Sequence, residues 1–263
     1  MSFVNAASHE LLANASLKIS PAGGHITSAS TGDGEIFYLS SNANFGVGES
    51  IRGGVPVIAP WFGGLLGKEP SHGWARRELW EVSEKPTGFV AKIRHDDFCL
   101  ELSALNDGDV VEIRLQATNR SSSPTTVQLA LHPYFAVNDI EDTAIRGLGG
   151  TRALNQVTGE ECSLPKEIRF DGQYDNIAHE ARRAVIDDGQ RRIEVSPIGA
   201  DATVVWNPGE ALAATMADVG EGEWKKFVCV EPALLGDNFK GVRLRSGDSA
   251  EVGMRIRVEA IEH

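Results

Sequence analysis

A large antiparallel β-sandwich is the fold class this sequence predicts, and three observations predict it. Apolar residues recur with period two in segment after segment, turn-forming clusters separate those segments, and helical or βαβ patterning is nearly missing. A length of 263 residues suffices to bury a large core and stays within the range of one big β domain, so one domain over residues 1–263 is expected. Hydrophobic residues at 41% and charged residues at 24% lie near globular averages, which argues against a disordered chain or a coiled coil.

The elements follow in chain order. Phe89, Ala91 and Ile93 alternate with polar neighbours, as do Leu100, Leu102 and Ala104, and then Val111, Ile113, Leu115 and Ala117. Asn106-Asp107-Gly108-Asp109 between the last two runs is a turn signal, and Asp187-Asp188-Gly189-Gln190 is another just before Ile193 and Val195. The one helical stretch predicted is Glu210 to Asp218, alanine-rich and preceded by Asn207-Pro208-Gly209. After Ser246-Gly247-Asp248 comes the clearest strand, with Val252, Met254, Ile256, Val258 and Ala260 alternating with charged residues. Glycine and proline are spread along the chain instead of pooling in a linker, and no internal repeat is visible.

Twenty-five basic residues against 37 acidic ones give a formal charge of −12, which opposes binding to nucleic acid or to an anionic membrane surface. A small anionic ligand is compatible with that charge if a few arginines line its cleft. Cys99, Cys162 and Cys229 are odd in number and form no C-x-x-C, so neither a disulfide framework nor a zinc knuckle is expected. Met1 to Ser20 lacks a basic region followed by an apolar stretch, and no run approaches a membrane span; a soluble, cytoplasmic protein is the expectation.

Nucleotide cradles are missing, since Gly67-Lys68 is followed by Glu69 and no G-x-G-x-x-G is present. Neither G-x-S-x-G nor H-E-x-x-H occurs. No histidine stands at ligand spacing with another His, Cys or carboxylate on one element, so no metal and no cofactor is expected. Chemistry has to come from dispersed residues.

Three constellations remain. Ile51 to Gly64 with Ser71 to Arg77 sets Arg52, His72 and Arg76 among glycines, prolines and tryptophans, the setting in which guanidinium forks grip an oxygen-rich anion beside an aromatic surface. His132 ends the apolar run Leu129-Ala130-Leu131 before Pro133; alone it reads first as a satisfied core histidine and needs a partner to be more. Glu231 interrupts the apolar strand Phe227-Val228-Cys229-Val230, where a carboxylate must be paired, hydrogen-bonded or functional. Asp175, after the turn-like Asp171-Gly172, reads first as a turn cap, and Trp206 in Val205-Trp206-Asn207-Pro208 reads first as core.

Taken in order, Arg52-Gly53-Gly54-Val55-Pro56, Pro60-Trp61-Phe62-Gly63, His72-Gly73-Trp74-Ala75-Arg76, Leu131-His132-Pro133-Tyr134-Phe135, Val205-Trp206-Asn207-Pro208 and Val228-Cys229-Val230-Glu231-Pro232 resemble the aldose 1-epimerase (galactose mutarotase) superfamily. They look most like its hexose-6-phosphate mutarotase branch, also called glucose-6-phosphate 1-epimerase. The resemblance spans about Ile51 to Pro232. It implies a galactose mutarotase-like β-supersandwich with one or two short helices and cofactor-free exchange of the α and β anomers of a hexose 6-phosphate. It also implies His132 and Glu231 as the catalytic pair, His72 and Asp175 as ligands of sugar hydroxyls, and Arg52 and Arg76 as holders of the phosphate. The chain departs from the family pattern at Ala233, where glycine is usual.

Such exchange needs a base on the C1 hydroxyl and an acid on the ring oxygen, roles that Glu231 and His132 can fill. Other readings stay open: a mutarotase of unphosphorylated aldoses, a non-catalytic sugar-phosphate binding module, or a glycoside hydrolase, which normally needs two flanking carboxylates. The hexose preferred and the oligomeric state are not specified by the sequence.

Overall fold

The computed structural model describes residues 11–14 and 16–261; part of the Met1 to Ser20 segment considered above lies outside them. Two large antiparallel sheets dominate. One has nine strands, in the order Glu167–Ile168, Ala144–Arg146, Ala184–Asp187, Arg191–Ile198, Ser249–Ala260, Val111–Asn119, Phe98–Asn106, Gly88–His95 and Glu81–Lys85. The other has eight: Glu160–Ser163, Arg152–Asn155, Tyr174–Ala178, Ala202–Asn207, Phe227–Leu234, Leu129–Leu131 and Val57–Ile58 in order, with Tyr134–Ala136 also paired to Phe227–Leu234.

The period-two segments form strands where the pattern predicts. Val111–Asn119 pairs with Phe98–Asn106 across the Asp107-Gly108 turn, and Ala184–Asp187 with Arg191–Ile198 across Asp188-Gly189. Leu100, Leu102, Ile113, Leu115, Val252, Met254 and Ile256 from the nine-stranded sheet share one buried cluster with Val57, Leu131, Val205, Val228 and Val230 from the eight-stranded sheet. That cluster is the sandwich core, and burying it is the main favourable term in folding.

The helical expectation is met in part: the helix is Gly209–Ala213, shorter than Glu210 to Asp218. Beyond it the chain turns, because the Asp218 carboxylate is drawn to Arg52 and Val219 is buried, and a continued helix would not place both. Ala75–Arg77 adds one 3₁₀ turn within the arginine-rich loop. Among the described residues, no helix is long and apolar enough to cross a membrane.

The eight-stranded sheet is buried on both faces near its centre. In Phe227–Leu234 every residue except the last is buried. Val228 and Val230 point into the sandwich core, while Ala233 joins a second apolar cluster with Ile58, Phe62, Ile177 and Val204 on the opposite face. Pleating therefore turns Cys229 and Glu231 to that opposite face. Register then lines up two rows across the sheet. Asp175, Trp206, Cys229 and Tyr134 are opposite one another in successive strands, and Ile177, Val204 and Glu231 form the next row.

Candidate active site

From these two rows Asp175, Trp206, Tyr134, Val204 and Glu231 form the floor of a pocket of about 290 Å³, Cys229 and Ile177 being buried beneath it, and the loop carrying Arg52, His72 and Arg76 forms its wall. The loop's approach depends on glycine. A Cβ on Gly73 (φ 73°) would lie 2.0 Å from the carbonyl oxygen of Ala59, and one on Gly54 (φ 58°) 2.3 Å from that of Ile26. No other residue permits both the left-handed backbone and that closeness.

His132 sits in the break between Leu129–Leu131 and Tyr134–Ala136, with its backbone N–H donated to the Pro56 carbonyl. Its Nε2 lies 3.3 Å from Glu231 Oε1, and the ring stacks on Tyr134 with centroids 4.9 Å apart. Glu231 is 1% exposed and His132 9%. Burial, reinforced by the Asp175 carboxylate and opposed by Arg76, holds the Glu231 carboxyl well above its usual range. Burial, with His72, Arg52 and Arg76 nearby, holds the His132 imidazole well below its usual range. Both shifts favour the uncharged form of each group over the ion pair. Glu231 Oε2 and His132 Nδ1 are buried without hydrogen-bond partners.

His72 has φ 65°, a conformation that L residues rarely adopt. Its Nδ1 accepts the Gly63 N–H at 3.2 Å, which leaves Nε2 to carry the proton. Burial, then Arg76 and Arg52, push its pKa down to about 3, so it is a neutral donor. Arg76 donates from Nη2 to the Ser71 carbonyl at 3.1 Å, while its Nε is buried and unpartnered; burial lowers its pKa to about 10.

Arg52 is already engaged. Nε and Nη2 both reach Asp218 Oδ2, at 3.0 and 2.9 Å, and Nη1 donates to the Tyr134 hydroxyl at 2.7 Å. Asp175 accepts from Gln156 Nε2 at 2.6 Å, and burial raises its pKa to about 6.

All six residues singled out in the sequence, Arg52, His72, Arg76, His132, Asp175 and Glu231, line this one pocket. Two first readings are corrected. Asp175 lies within the strand Tyr174–Ala178 and is not a turn cap, because pairing with Ala202–Asn207 carries it onto the floor. Trp206 packs on Phe227 but is also part of the pocket floor, edge-on to His132 at 5.7 Å, since its strand is buried on both faces. Sequence reasoning assigned no role to Tyr134, Gln156 or Asp218. Tyr134 was within reach, two residues after His132 and so on the same face; Asp218 and Gln156 carry no local signal.

This antiparallel two-sheet sandwich is shared with a solved structure described as a galactose mutarotase-like protein from Lactobacillus casei, with TM-score 0.72 at 15% identity over 95% of this chain and 99% of that one. That likeness places the chain in the galactose mutarotase-like β-sandwich fold. The family model for aldose 1-epimerase matches residues 9–257. Named "putative glucose-6-phosphate 1-epimerase" are a Cenchrus ciliaris protein, 30% identical over 91% of this chain and 79% of its own, and a Salmonella typhimurium protein, 34% identical over 80% and 76%. A solved structure described as a putative mutarotase from Salmonella typhimurium superposes with TM-score 0.84 at 28% identity, covering 95% of this chain and 90% of that one. The chain belongs to the aldose 1-epimerase family. It is an isomerase, with the activity of a sugar mutarotase.

Proposed function

We propose that the sugar is a hexose 6-phosphate and that Glu231 and His132 exchange its anomers by paired proton transfer. The observation that carries this reading is a carboxyl and an imidazole 3.3 Å apart in one pocket with two arginines and a second, neutral histidine. In the forward step, Glu231 as carboxylate takes the C1 hydroxyl proton while His132 as imidazolium gives one to the ring oxygen. The C1–ring oxygen bond breaks, the aldehyde turns about C1–C2, and closure on the other face runs the transfers backwards.

Burial has a direct bearing on this cycle. Before ring opening the pair must be ionic; after it, Glu231 is protonated and His132 neutral. That later state is the one the desolvated pair prefers, so burial stabilises the open aldehyde relative to the ionic pair that precedes it. Arg76 offsets part of the cost of the ionic state by attracting the Glu231 carboxylate.

For the phosphate, Arg76 is the freer clamp because its Nε has no partner, whereas Arg52 already holds Asp218. A mutarotase of unphosphorylated aldoses is the second reading, favoured by that occupied edge of Arg52. NMR exchange spectroscopy on glucose 6-phosphate, glucose and galactose decides between them. A kcat/KM for the phosphate ester at least about tenfold above both free sugars is expected, the scale of one charge-assisted hydrogen bond. Equal values would transfer the assignment to free aldoses, and binding without exchange would leave a sugar-phosphate binding module.

A further inference from the structure

We propose that the floor of the pocket is also a binding site for a thiophilic divalent cation, zinc being the representative, held by Cys229 Sγ, His132 Nε2 and a carboxylate oxygen of Glu231, and that its occupation stops anomer exchange. The inhibitory half rests on the acid–base reading above; the binding half does not.

Cys229 and Glu231 are two apart on Phe227–Leu234 and so share a face, and His132 meets both from the neighbouring strand break. One ligand atom from each of the three lies within 4.8 Å of the others. Ligands at 2.0 to 2.3 Å from a tetrahedral centre stand about 3.3 to 3.6 Å apart. The His132–Glu231 separation, 3.3 Å, is already at that value. Closing the thiol, which packs among Tyr38, Tyr134 and Phe227, onto them needs a shift of about 1 Å.

A second observation points the same way. Glu231 Oε2 is buried with no hydrogen-bond partner, so the carboxylate has a lone-pair face that nothing in the protein satisfies. The Cys229 thiol is fully buried and has no part in the proton transfers. Sulfur, imidazole nitrogen and carboxylate oxygen together select zinc or cadmium over magnesium or calcium, which take oxygen shells. Three protein ligands beneath an open pocket leave the fourth position to a water that occupies the space of the sugar.

The charges nearby permit it. Asp218 neutralises Arg52 and His72 is neutral; burial holds the Cys229 thiol well above its usual range, so the ion itself supplies the charge that a thiolate there requires. Each ion bound releases the thiol proton to solvent. The site is then closed to catalysis, because the base and the acid are both ligands.

Cadmium titration of the wild-type protein, followed by near-ultraviolet thiolate-to-metal absorption, is expected to saturate at one ion per chain. Zinc is expected to slow exchange competitively with the sugar, and EDTA to restore it. Cys229→Ser and Cys229→Ala are expected to exchange anomers normally in EDTA, to lose the cadmium band, and to need about 10- to 100-fold more zinc for half inhibition. Two variants guard against one that does not fold. No cadmium band in the wild-type protein, or equal zinc sensitivity in it and both variants, overturns the proposal. Because the cadmium band needs no turnover, a failure of the acid–base assignment leaves it unchanged and is told apart.

Discussion

The two large sheets use the same alternation to different ends. In the nine-stranded sheet, Phe98–Asn106 and Val111–Asn119 bury every second residue and leave most of the others partly exposed, which is what one apolar face requires. In the eight-stranded sheet, Phe227–Leu234 is buried on both faces, and the second face carries a carboxyl and a thiol, with an imidazole beside it. Stability asks only for the first face. The pocket built on the second face holds buried polar atoms without partners, Glu231 Oε2, His132 Nδ1 and Arg76 Nε, each of a kind that costs about 1–3 kcal/mol. Function sits where the sandwich is locally least satisfied, and substitutions in the two sheets should separate activity from stability.

The largest effect belongs to the pocket. Glu231→Gln is expected to slow exchange about 10²- to 10⁴-fold while leaving the melting temperature equal or higher, because burial disfavours the carboxylate and glutamine keeps its shape without a charge. NMR exchange and thermal denaturation of the same sample test both halves. Leu115→Ala in the other sheet should do the reverse. Leu115 is fully buried in the sandwich core, so its truncation should cost about 2–5 kcal/mol in a denaturant titration and leave the KM of the folded fraction unchanged. If both variants lost activity and stability together, the division of labour between the sheets would be wrong.

That division also explains what was legible in the sequence. Ile113, Leu115, Met254 and Ile256 announce their strands because one side faces core and the other water, the condition that produces period two. Glu231 and His132 stand out because a polar group in an apolar run needs a partner, and each supplies one to the other. Asp218 was invisible: it reaches Arg52 across 166 positions of sequence, and only the shortened helix brings it there. Asp175 misled because its turn-forming neighbours resemble a cap, whereas a long-range pairing with Ala202–Asn207 decides its place. Trp206 misled for a related reason, since a strand with two buried faces offers no alternation to read. The first face is written locally; the second is assembled by register.

Arginine truncation sharpens the comparison within the pocket itself. Arg76→Ala is expected to raise KM for a hexose 6-phosphate about 10- to 100-fold more than for the free hexose, the weight of one charge-assisted contact. Arg52→Ala should show a smaller discrimination, because much of that guanidinium is already committed to Asp218 and Tyr134. Steady-state kinetics on both substrates measures the ratio. A larger discrimination at Arg52 than at Arg76 would mean that the sugar's phosphate displaces Asp218.

The smallest effect reads the strain of the second face through pH. Burial raises the Asp175 pKa to about 6 in the folded chain, against 3.8 for a free carboxyl. Below pH 4 the group is protonated in both states and its contribution to stability is intact. As pH rises towards 6 the unfolded chain loses the proton first, so that contribution is progressively lost and stays lost at neutral pH. Asp175→Asn, which keeps an oxygen to accept the Gln156 amide, should therefore be more stable than wild type at pH 8, by on the order of 2 kcal/mol, with the gain shrinking to nothing near pH 4. A constant gain across that range would show that the aspartate carries no buried charge; the expected convergence would show a carboxylate kept ionised against its surroundings, for which sugar hydroxyls are the fitting partners.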